Sequence, residues 1–508
     1  MPSTQYERLY TMTNVSLILH ENARRSPDAA ALRIHDREMT YGELDRAARR
    51  TSAFLRSINI GAGQRAGLCL RDGVDSFVLM FALAHVGAPF LLMDGYSRPG
   101  EITDLVDALS LDVVIMADKS FPLPDIPVHR LDGSWREAVA RCEDSAGDPA
   151  SGSTGFIINT SSGTTGKPKG LVVSHTQYCR RWRSTSAAVG WSSGERHLCL
   201  GRLGFSGARN SCLFHLLSGN SVVLGPHLYS LDELVRWVRE YGITSVFAAP
   251  AMLRTLLSGC SPPTGHLIPE VGYLWLTGGA TSVQDKVLIR KYLCEGIYDE
   301  YGASGFGTIS CLTPEHTTGM LGSVGRPVEG VRVEIVDGDF RALPAGALGR
   351  IRCKGPHMSC GFENDSNSQG YEFFREGWFY PGDMGYTDAD GFLYIQGRAT
   401  DLIIRGGVNI YPEEIERVLC QHPAVKDAAV VGTEDPVHGE RVLAWVSLRS
   451  TCSGADLINH CRKHLSGHKV PDAFRFTEQL PRTDSGKVRR NALAEMAEAG
   501  RCPDIGRT

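Results

Sequence analysis

The sequence predicts an α/β protein: a large N-terminal domain of mostly parallel sheets with a β-rich subdomain, then a small α+β C-terminal domain. Three features carry this expectation. Up to about residue 320, short apolar strands alternate with helix-spaced segments, as in a parallel sheet with crossover helices. From about 320 to 398 the texture changes to short strands and turns. From 399 a further run of strands and helices follows the junction Gly397-Arg398-Ala399-Thr400-Asp401. The division is therefore residues 1–398, with the β-rich part at about 320–398, and residues 399–508.

Residues 14–60 read as helix, strand, turn and helix, with His35-Asp36-Arg37 as the polar turn. Thr40 is an N-cap with Glu43 at the capping-box position. Leu44, Ala47, Ala48, Thr51 and Leu55 then recur at helical spacing. Ala66–Leu70 is an apolar strand, Phe77–Val86 an apolar helix ending at Gly87, and Val113–Met116 another strand. Phe156-Ile157-Ile158 and Leu171-Val172-Val173 are strands on either side of a polar loop. A helix through Leu213, Leu216 and Leu217 closes at Gly219, and Val222–Leu224 is a strand. Leu231–Tyr241 is an amphipathic helix. Strands at Val246–Ala249, Leu274–Thr277 and Ile297–Tyr301 end in loops, where α/β folds place ligands. Val331–Val336, Gly349–Cys353 and Gly391–Ile395 build the β-rich part. The small domain takes Leu402–Ile404, helix Glu413–Leu419, strands Ala428–Val431 and Val442–Leu448, and helix Ala455–Leu465.

Composition narrows the function. A 508-residue chain is long enough for several cores at ~100–200 residues per domain. Hydrophobic content of 42% with 22% charged residues is ordinary for a globular protein. A net charge of −4 offers no basic surface for nucleic acid or an acidic membrane. The 14 cysteines are scattered, with no C-x-x-C pair, which favours a reducing, cytoplasmic compartment over a disulfide scaffold or zinc site. Met1-Pro2-Ser3-Thr4-Gln5 opens no signal peptide, and no apolar run is long enough to span a membrane. Oligomeric state is not legible.

The densest chemistry lies in Thr160-Ser161-Ser162-Gly163-Thr164-Thr165-Gly166-Lys167-Pro168-Lys169-Gly170. Glycines bring backbone N–H groups to an anion, hydroxyls add donors, and lysines add positive charge. These are the parts of a polyphosphate cradle. The spacing is not that of the common P-loop, because Gly163 and Gly166 are only two residues apart and a strand follows.

This string resembles the phosphate loop of the adenylate-forming superfamily of acyl-CoA synthetases, aryl-acid ligases, luciferases and peptide-synthetase adenylation domains. Other stretches resemble that family's motifs in order along nearly the whole chain. Thr40, Tyr41, Glu43 and Leu44 fit its opening pattern. Gly278-Gly279-Ala280 resembles its adenine-flanking segment. Tyr301-Gly302-Ala303-Ser304-Gly305 resembles its Tyr-Gly-x-Thr-Glu box. The resemblance implies Tyr301 on adenine, Ser304 on phosphate, and Glu300 beside the nucleotide. Gly305 stands where the family's metal-holding glutamate belongs. Either another carboxylate or water holds Mg²⁺, or the site is altered, and Gly305→Glu is expected to raise Mg²⁺ affinity.

Gly377-Trp378-Phe379-Tyr380-Pro381-Gly382-Asp383 resembles the ribose-binding motif, with Asp383 as acceptor of ribose hydroxyls and Pro381 replacing a threonine. Arg398 falls at the family's ribose and phosphate contact, and Thr400 at its hinge, next to Asp401. Arg405-Gly406-Gly407-Val408-Asn409-Ile410 resembles the loop that lines a pantetheine tunnel. Leu480-Pro481-Arg482-Thr483-Asp484-Ser485-Gly486-Lys487 resembles the closing motif, which makes Lys487 the catalytic lysine.

For the acid pocket the resemblance implies Phe205, Ser206 and Asn210, with Thr308 at its border. Ser206 replaces the aspartate that binds an α-ammonium, so an ordinary α-amino acid is not expected. Arg202 and Arg209 could hold a second carboxylate bidentately, or else face solvent or pair with an acid. His175, His215 and His438 are read as structural.

The implied reaction joins a small aryl or short acyl acid to AMP, releases pyrophosphate from Mg·ATP, and passes the acyl group to a thiol of CoA or a carrier protein. No carrier domain follows residue 490, so a carrier would act in trans. Three alternatives stay open: an amine acceptor, an unusual acid such as nitrite, and a nucleotide-binding scaffold without catalysis. Lys487→Ala is expected to abolish acid-dependent pyrophosphate exchange while ATP binding persists. Full exchange activity in that variant would overturn the lysine's role.

Overall fold

Helix ends are fixed by the chemistry expected of them. Thr40 Oγ1 accepts the Glu43 N–H, and Glu43 Oε2 accepts the Thr40 N–H, which starts helix Tyr41–Ser57. Gly87 closes helix Val74–Val86 in the left-handed region at φ +80°. That helix is apolar on all sides, and Phe77, Leu79, Met80, Phe81 and Leu83 are fully buried in the main core. The structure is a computed structural model of the chain. It describes all residues except 1–10, 35–36, 96, 118–122, 124–125, 145–146, 162–168, 259–264, 317–318, 360–372, 407, 436–437, 484–486, 499–504 and 507–508. The expected turn at His35-Asp36 falls outside the described residues, between strands Ala30–Ile34 and Arg37–Thr40.

The large domain carries two sheets with parallel centres. The nine-stranded sheet runs in the order Arg326–Pro327, Gly307–Leu312, Ile297–Ala303, Tyr273–Leu276, Ser245–Ala248, Arg196–Cys199, Ser221–Leu224, Ala30–Ile34, Arg37–Thr40. Its interior pairs are parallel and both edges turn antiparallel. The six-stranded sheet runs Val128–Arg130, Val113–Met116, Ala66–Leu70, Phe90–Asp94, Gly155–Ser161, Lys169–Ser174. Its last pair is an antiparallel hairpin in which Thr160 opposes Gly170 and Ser161 opposes Lys169. A side chain at Gly170 would meet Leu109 Cδ2 at 2.6 Å, so this strand needs glycine to approach helix Pro99–Leu109.

An antiparallel sheet follows, built from Arg332–Val336, Gly349–Lys354, Phe374–Arg375, Trp378–Phe379, Asp383–Thr387 and Leu393–Arg398. The small domain has its own mixed sheet, centred on the long pair Val425–Asp435 and Gly439–Leu448, with a separate core around Ile415, Val430 and Val446. No helix among the described residues is long and apolar enough to cross a membrane.

Helix His175–Val189, absent from the sequence reading, ties these parts together. Ser174 and Gln177 form its capping box, directly after the strand Lys169–Ser174. Gln177, Arg180, Arg181 and Ser184 fall on one helical stripe, and each donates to a main-chain carbonyl of the segment that carries the β-rich sheet or of the loop before it. Arg181 is buried. It donates to Ser304 O at 3.2 Å, His357 O at 3.2 Å and Ser359 Oγ at 2.9 Å. Leaving buried acceptors unpaired costs roughly 1–3 kcal/mol each. Arg181→Ala is therefore expected to lower the unfolding free energy by about 3 kcal/mol in a denaturant titration. A loss below about 1 kcal/mol would show that the seam is not held by this side chain.

Candidate active site

The chemistry gathers where the antiparallel sheet meets the edge of the nine-stranded one. Asp383 and Arg398 face each other across neighbouring strands, with Arg398 Nε 3.6 Å from Asp383 Oδ1. Tyr301 ends the strand expected to reach the site, and its hydroxyl donates to Asp383 Oδ2 at 2.5 Å. The register that pairs Asp383 with Arg398 thus places one carboxylate between a phenol and a guanidinium. Burial pushes the Asp383 carboxyl up, and Tyr301, Arg398 and Lys487 pull it back down. Lys487, from the small domain, acts on the same cluster. Desolvation in the cleft lowers its ammonium, Arg398 lowers it further, and Asp383 opposes both. Tyr301 and Asp383, more than 80 residues apart in sequence, therefore touch, and Lys487 from beyond the 399 junction lies within electrostatic range of Asp383 and Arg398.

Behind Tyr301 lies a second carboxylate. Glu300 accepts from Trp275 Nε1 at 2.6 Å and from Thr308 Oγ1 at 2.5 Å, and Thr308 Oγ1 also lies 2.6 Å from Thr185 Oγ1. Burial raises the Glu300 carboxyl, and these donors moderate the rise. Both Glu300 oxygens are engaged inside the protein, and the Thr308 hydroxyl is committed to that network. Trp275 was missed by the sequence reading. Its signal was an indole in the middle of an otherwise aliphatic strand, where the N–H needs a buried acceptor.

The structure explains Gly305. A Cβ at this position would lie 2.6 Å from Phe379 Cε2 and 3.0 Å from Phe379 Cζ. Phe379 is buried with Phe306 and Cys353. The space a side chain would need at 305 is thus taken by the Phe379 ring. Among the described residues no three His, Cys, Asp or Glu side chains gather to hold a metal. The expectation that Gly305→Glu raises Mg²⁺ affinity meets a steric obstacle, because a Cβ there requires the Phe379 ring to shift. Mg²⁺ would enter as part of the Mg·ATP substrate.

The acid-side residues sit at the start of helix Ser206–Leu217, with Phe205 as its N-cap. Side chains added at Gly207 would meet Thr277 Cγ2 at 3.2 Å and Phe247 Cζ at 3.3 Å, so this turn lies against the strand end that leads into Gly278, Gly279 and Ala280. Those three are exposed, with Gly278 at φ +84°. Asn210 accepts from the Tyr178 hydroxyl at 2.9 Å. Arg202 pairs with Asp94 at 2.6 Å, which takes it out of the pocket reading. Arg209 differs. It is 2% exposed, donates to Asn159 Oδ1 at 2.7 Å, and has no ion-pair partner among the described residues. Burial pushes its guanidinium down to about 10. The three histidines behave as read. Burial takes His175 down to about 3 and His215 down to about 4, and the exposed His438 lies 3.2 Å from Asp435.

Of the phosphate string, Thr160 is exposed at the end of its strand, and the backbones of Ser161 and Lys169 complete the hairpin. Ser162, Gly163, Thr164, Thr165, Gly166, Lys167 and Pro168 lie outside the described residues, as do Gly407 and the turn Asp484-Ser485-Gly486.

Comparison with known proteins shows what the chain is similar to. The family model described as AMP-binding enzyme matches residues 19–362, and the one described as AMP-binding enzyme C-terminal domain matches 414–487. A 2-succinylbenzoate–CoA ligase of Bacillus cereus is 29% identical over 487 residues, covering 94% of this chain and 98% of that protein. The o-succinylbenzoate CoA synthetase of Bacillus subtilis in complex with its acyl-adenylate intermediate OSB-AMP superposes with a TM-score of 0.84 at 26% identity, covering 94% of this chain and 97% of that one. A double mutant of the same synthetase, bound with its product analogue OSB-NCoA, gives 0.69 at 26% identity, covering 96% and 99%.

Gly305→Glu is expected to destabilise the fold by about 2 kcal/mol through overpacking against Phe379, with no tightening of Mg²⁺. Denaturant unfolding and a Mg²⁺ titration of ATP binding check both. Adding Phe379→Ala should recover part of the loss; a stable single variant with tighter Mg²⁺ would show that the ring moves aside freely.

Proposed function

The chain belongs to the AMP-binding enzyme family, and from that premise we propose that it activates a small aryl acid bearing a second carboxylate and passes the acyl group to the thiol of CoA. It is an adenylate-forming ligase: a carboxylic acid and ATP give an acyl-adenylate and pyrophosphate, and a thiol then displaces AMP. The observation that carries the reading is the contact of Asp383 with both Tyr301 and Arg398, with Lys487 within electrostatic range of the same cluster. One cluster supplies an acceptor for ribose hydroxyls and two cations for phosphate.

In the first step a carboxylate oxygen attacks the α-phosphorus in line, and the bond to the β-phosphate oxygen breaks. Mg²⁺ on the nucleotide screens the phosphate charge. Asp383 holds the ribose, releasing Tyr301 toward the adenine face. Lys487 and Arg398 stand where negative charge builds on the α-phosphate, in a partly desolvated cleft where such charges act strongly. Ser304 donates to the same phosphate. Thr160, Ser161, Lys169 and the loop between them grip the leaving pyrophosphate. Glu300 braces Tyr301 from behind. In the second step the CoA thiolate attacks the acyl carbon and AMP leaves.

The substrate class rests on the pocket and on the relatives. The Bacillus ligase is named for 2-succinylbenzoate, an aryl acid with two carboxylates. Arg209, buried without an acid, borders Phe205, Ser206 and Asn210 in sequence at the head of the pocket helix. A guanidinium there suits a second carboxylate, which restores the missing counter-charge. Ser206 leaves no carboxylate for an α-ammonium.

Acid-dependent exchange of pyrophosphate into ATP, across aryl diacids, aryl monoacids and aliphatic acids, tests the reading, and mass spectrometry after CoA addition identifies the thioester. Aryl diacids should give the fastest exchange. In Arg209→Met their kcat/KM should fall roughly 100-fold, while monoacids change less than about threefold. Equal losses on both classes, or silence across the panel with ATP still bound, would overturn it.

A further inference from the structure

Lys487 sits on a hairpin that is braced from both ends. The Thr483 N–H donates to Lys487 O at 2.7 Å, the Arg489 N–H donates to Pro481 O at 2.9 Å, and Arg482 pairs with Val488 across the hairpin. At its far end, Arg490 reaches Glu416 Oε1 at 2.8 Å, Glu413 Oε1 at 3.2 Å and Asp401 Oδ2 at 3.4 Å. At its near end, Arg482 pairs with Asp427 Oδ2, from strand Val425–Asp435. These contacts hold the hairpin to the small domain. They do not say where the small domain sits.

Arg254, in helix Pro250–Ser258 of the large domain, supplies that link. Its Nε and Nη2 are held by Asp285 of helix Val283–Tyr292, with Nη2 to Oδ2 at 2.6 Å. The remaining arm, Nη1, points across the domain boundary to Asp427 Oδ1 at 3.9 Å. Asp427 thus stands between a large-domain cation and the cation of the lysine hairpin. Resting on the adenylation reading above, we propose that Arg254 and Asp427 form an ionic clip that positions Lys487 over the nucleotide for the adenylating step. Arg254 touches no reacting atom and acts through Asp427 and Arg482. The clip is present in the arrangement that also brings Lys487 within electrostatic range of Asp383, so it favours the first half-reaction and must open for a rotation that separates Arg254 from Asp427. The chain superposes more closely on the acyl-adenylate complex of the Bacillus subtilis synthetase than on its product-analogue complex, at 0.84 against 0.69.

The test uses the full-length enzyme with Arg254→Gln, Asp427→Asn and the double variant. Three quantities are read: pyrophosphate exchange, thioester formation from supplied acyl-adenylate and CoA, and hydrogen–deuterium exchange of the hairpin amides with ATP present. Each single variant should lower the exchange kcat about fivefold, with KM for ATP within about twofold. Thioester formation should stay within about twofold, the hairpin amides should exchange faster, and the double variant should be no worse than the worse single. A merely structural Arg254, stapling two helices through Asp285, would lower both half-reactions alike. That result, additive losses, or unchanged hairpin amides would overturn the clip. If no acid supports exchange in the wild type, the adenylation reading fails by itself, and the hairpin amides still decide the clip.

Discussion

Arg181 is a buried cation with no acid beside it among the described residues, and the arrangement of the candidate site depends on it. Its five N–H donors lie in a fixed plane, so a single side chain can meet oxygens on Ser304, His357 and Ser359 at once. The helix that carries it begins where the phosphate hairpin ends. One helix therefore links the end of strand Lys169–Ser174 to the turn at 303–307 that follows Tyr301. Gly307 is part of the same fit: at φ +97°, its place for a Cβ lies 3.0 Å from Arg181 Cγ. A site that must align an in-line displacement gains from this, since small misplacements of the reacting groups cost rate steeply.

Arg181 and Arg209 also share an electrostatic role. Burial brings both guanidiniums down to about 10, yet both stay charged at neutral pH. Neither has an acid beside it among the described residues, where neutral acceptors take their hydrogen bonds. Buried cations of this kind raise the potential around them. Asp383 is the acidic group of this cluster. Burial raises its carboxyl, and Tyr301, Arg398 and Lys487 oppose the rise.

Sequence made most of the architecture legible, because strand and helix signals are local. The Thr40 capping box and the Gly87 stop are made of neighbours and formed as read. The small-domain strands were read short, as in Ala428–Val431 against Val425–Asp435, because their ends carry charged residues that still pair. Helix His175–Val189 was invisible for a different reason. Its buried face includes arginine, threonine and serine, so apolar periodicity has nothing to follow. Candidate site residues could be named where a motif holds its own residues, as at Asp383 and Lys487. Contacts that join distant segments could not be read, as with Trp275 and Glu300 or Arg202 and Asp94.

Gly305 shows how a local substitution can mislead. Set beside a family pattern, a glycine in place of glutamate reads as a lost metal site. In the folded chain a Cβ there would meet the Phe379 ring at 2.6 Å and Phe374 Cζ at 3.5 Å. A glycine also carries no charge, while the cations Lys487 and Arg398 are retained. A carboxylate near the phosphates attracts the metal but repels the phosphate oxygens, and these two terms offset each other. On the adenylation reading, without that carboxylate the nucleotide would hold the metal, and the protein's share of charge stabilisation would fall to Lys487 and Arg398. The loss of one motif residue is therefore compatible with adenylation, provided that the lysine hairpin is held in place.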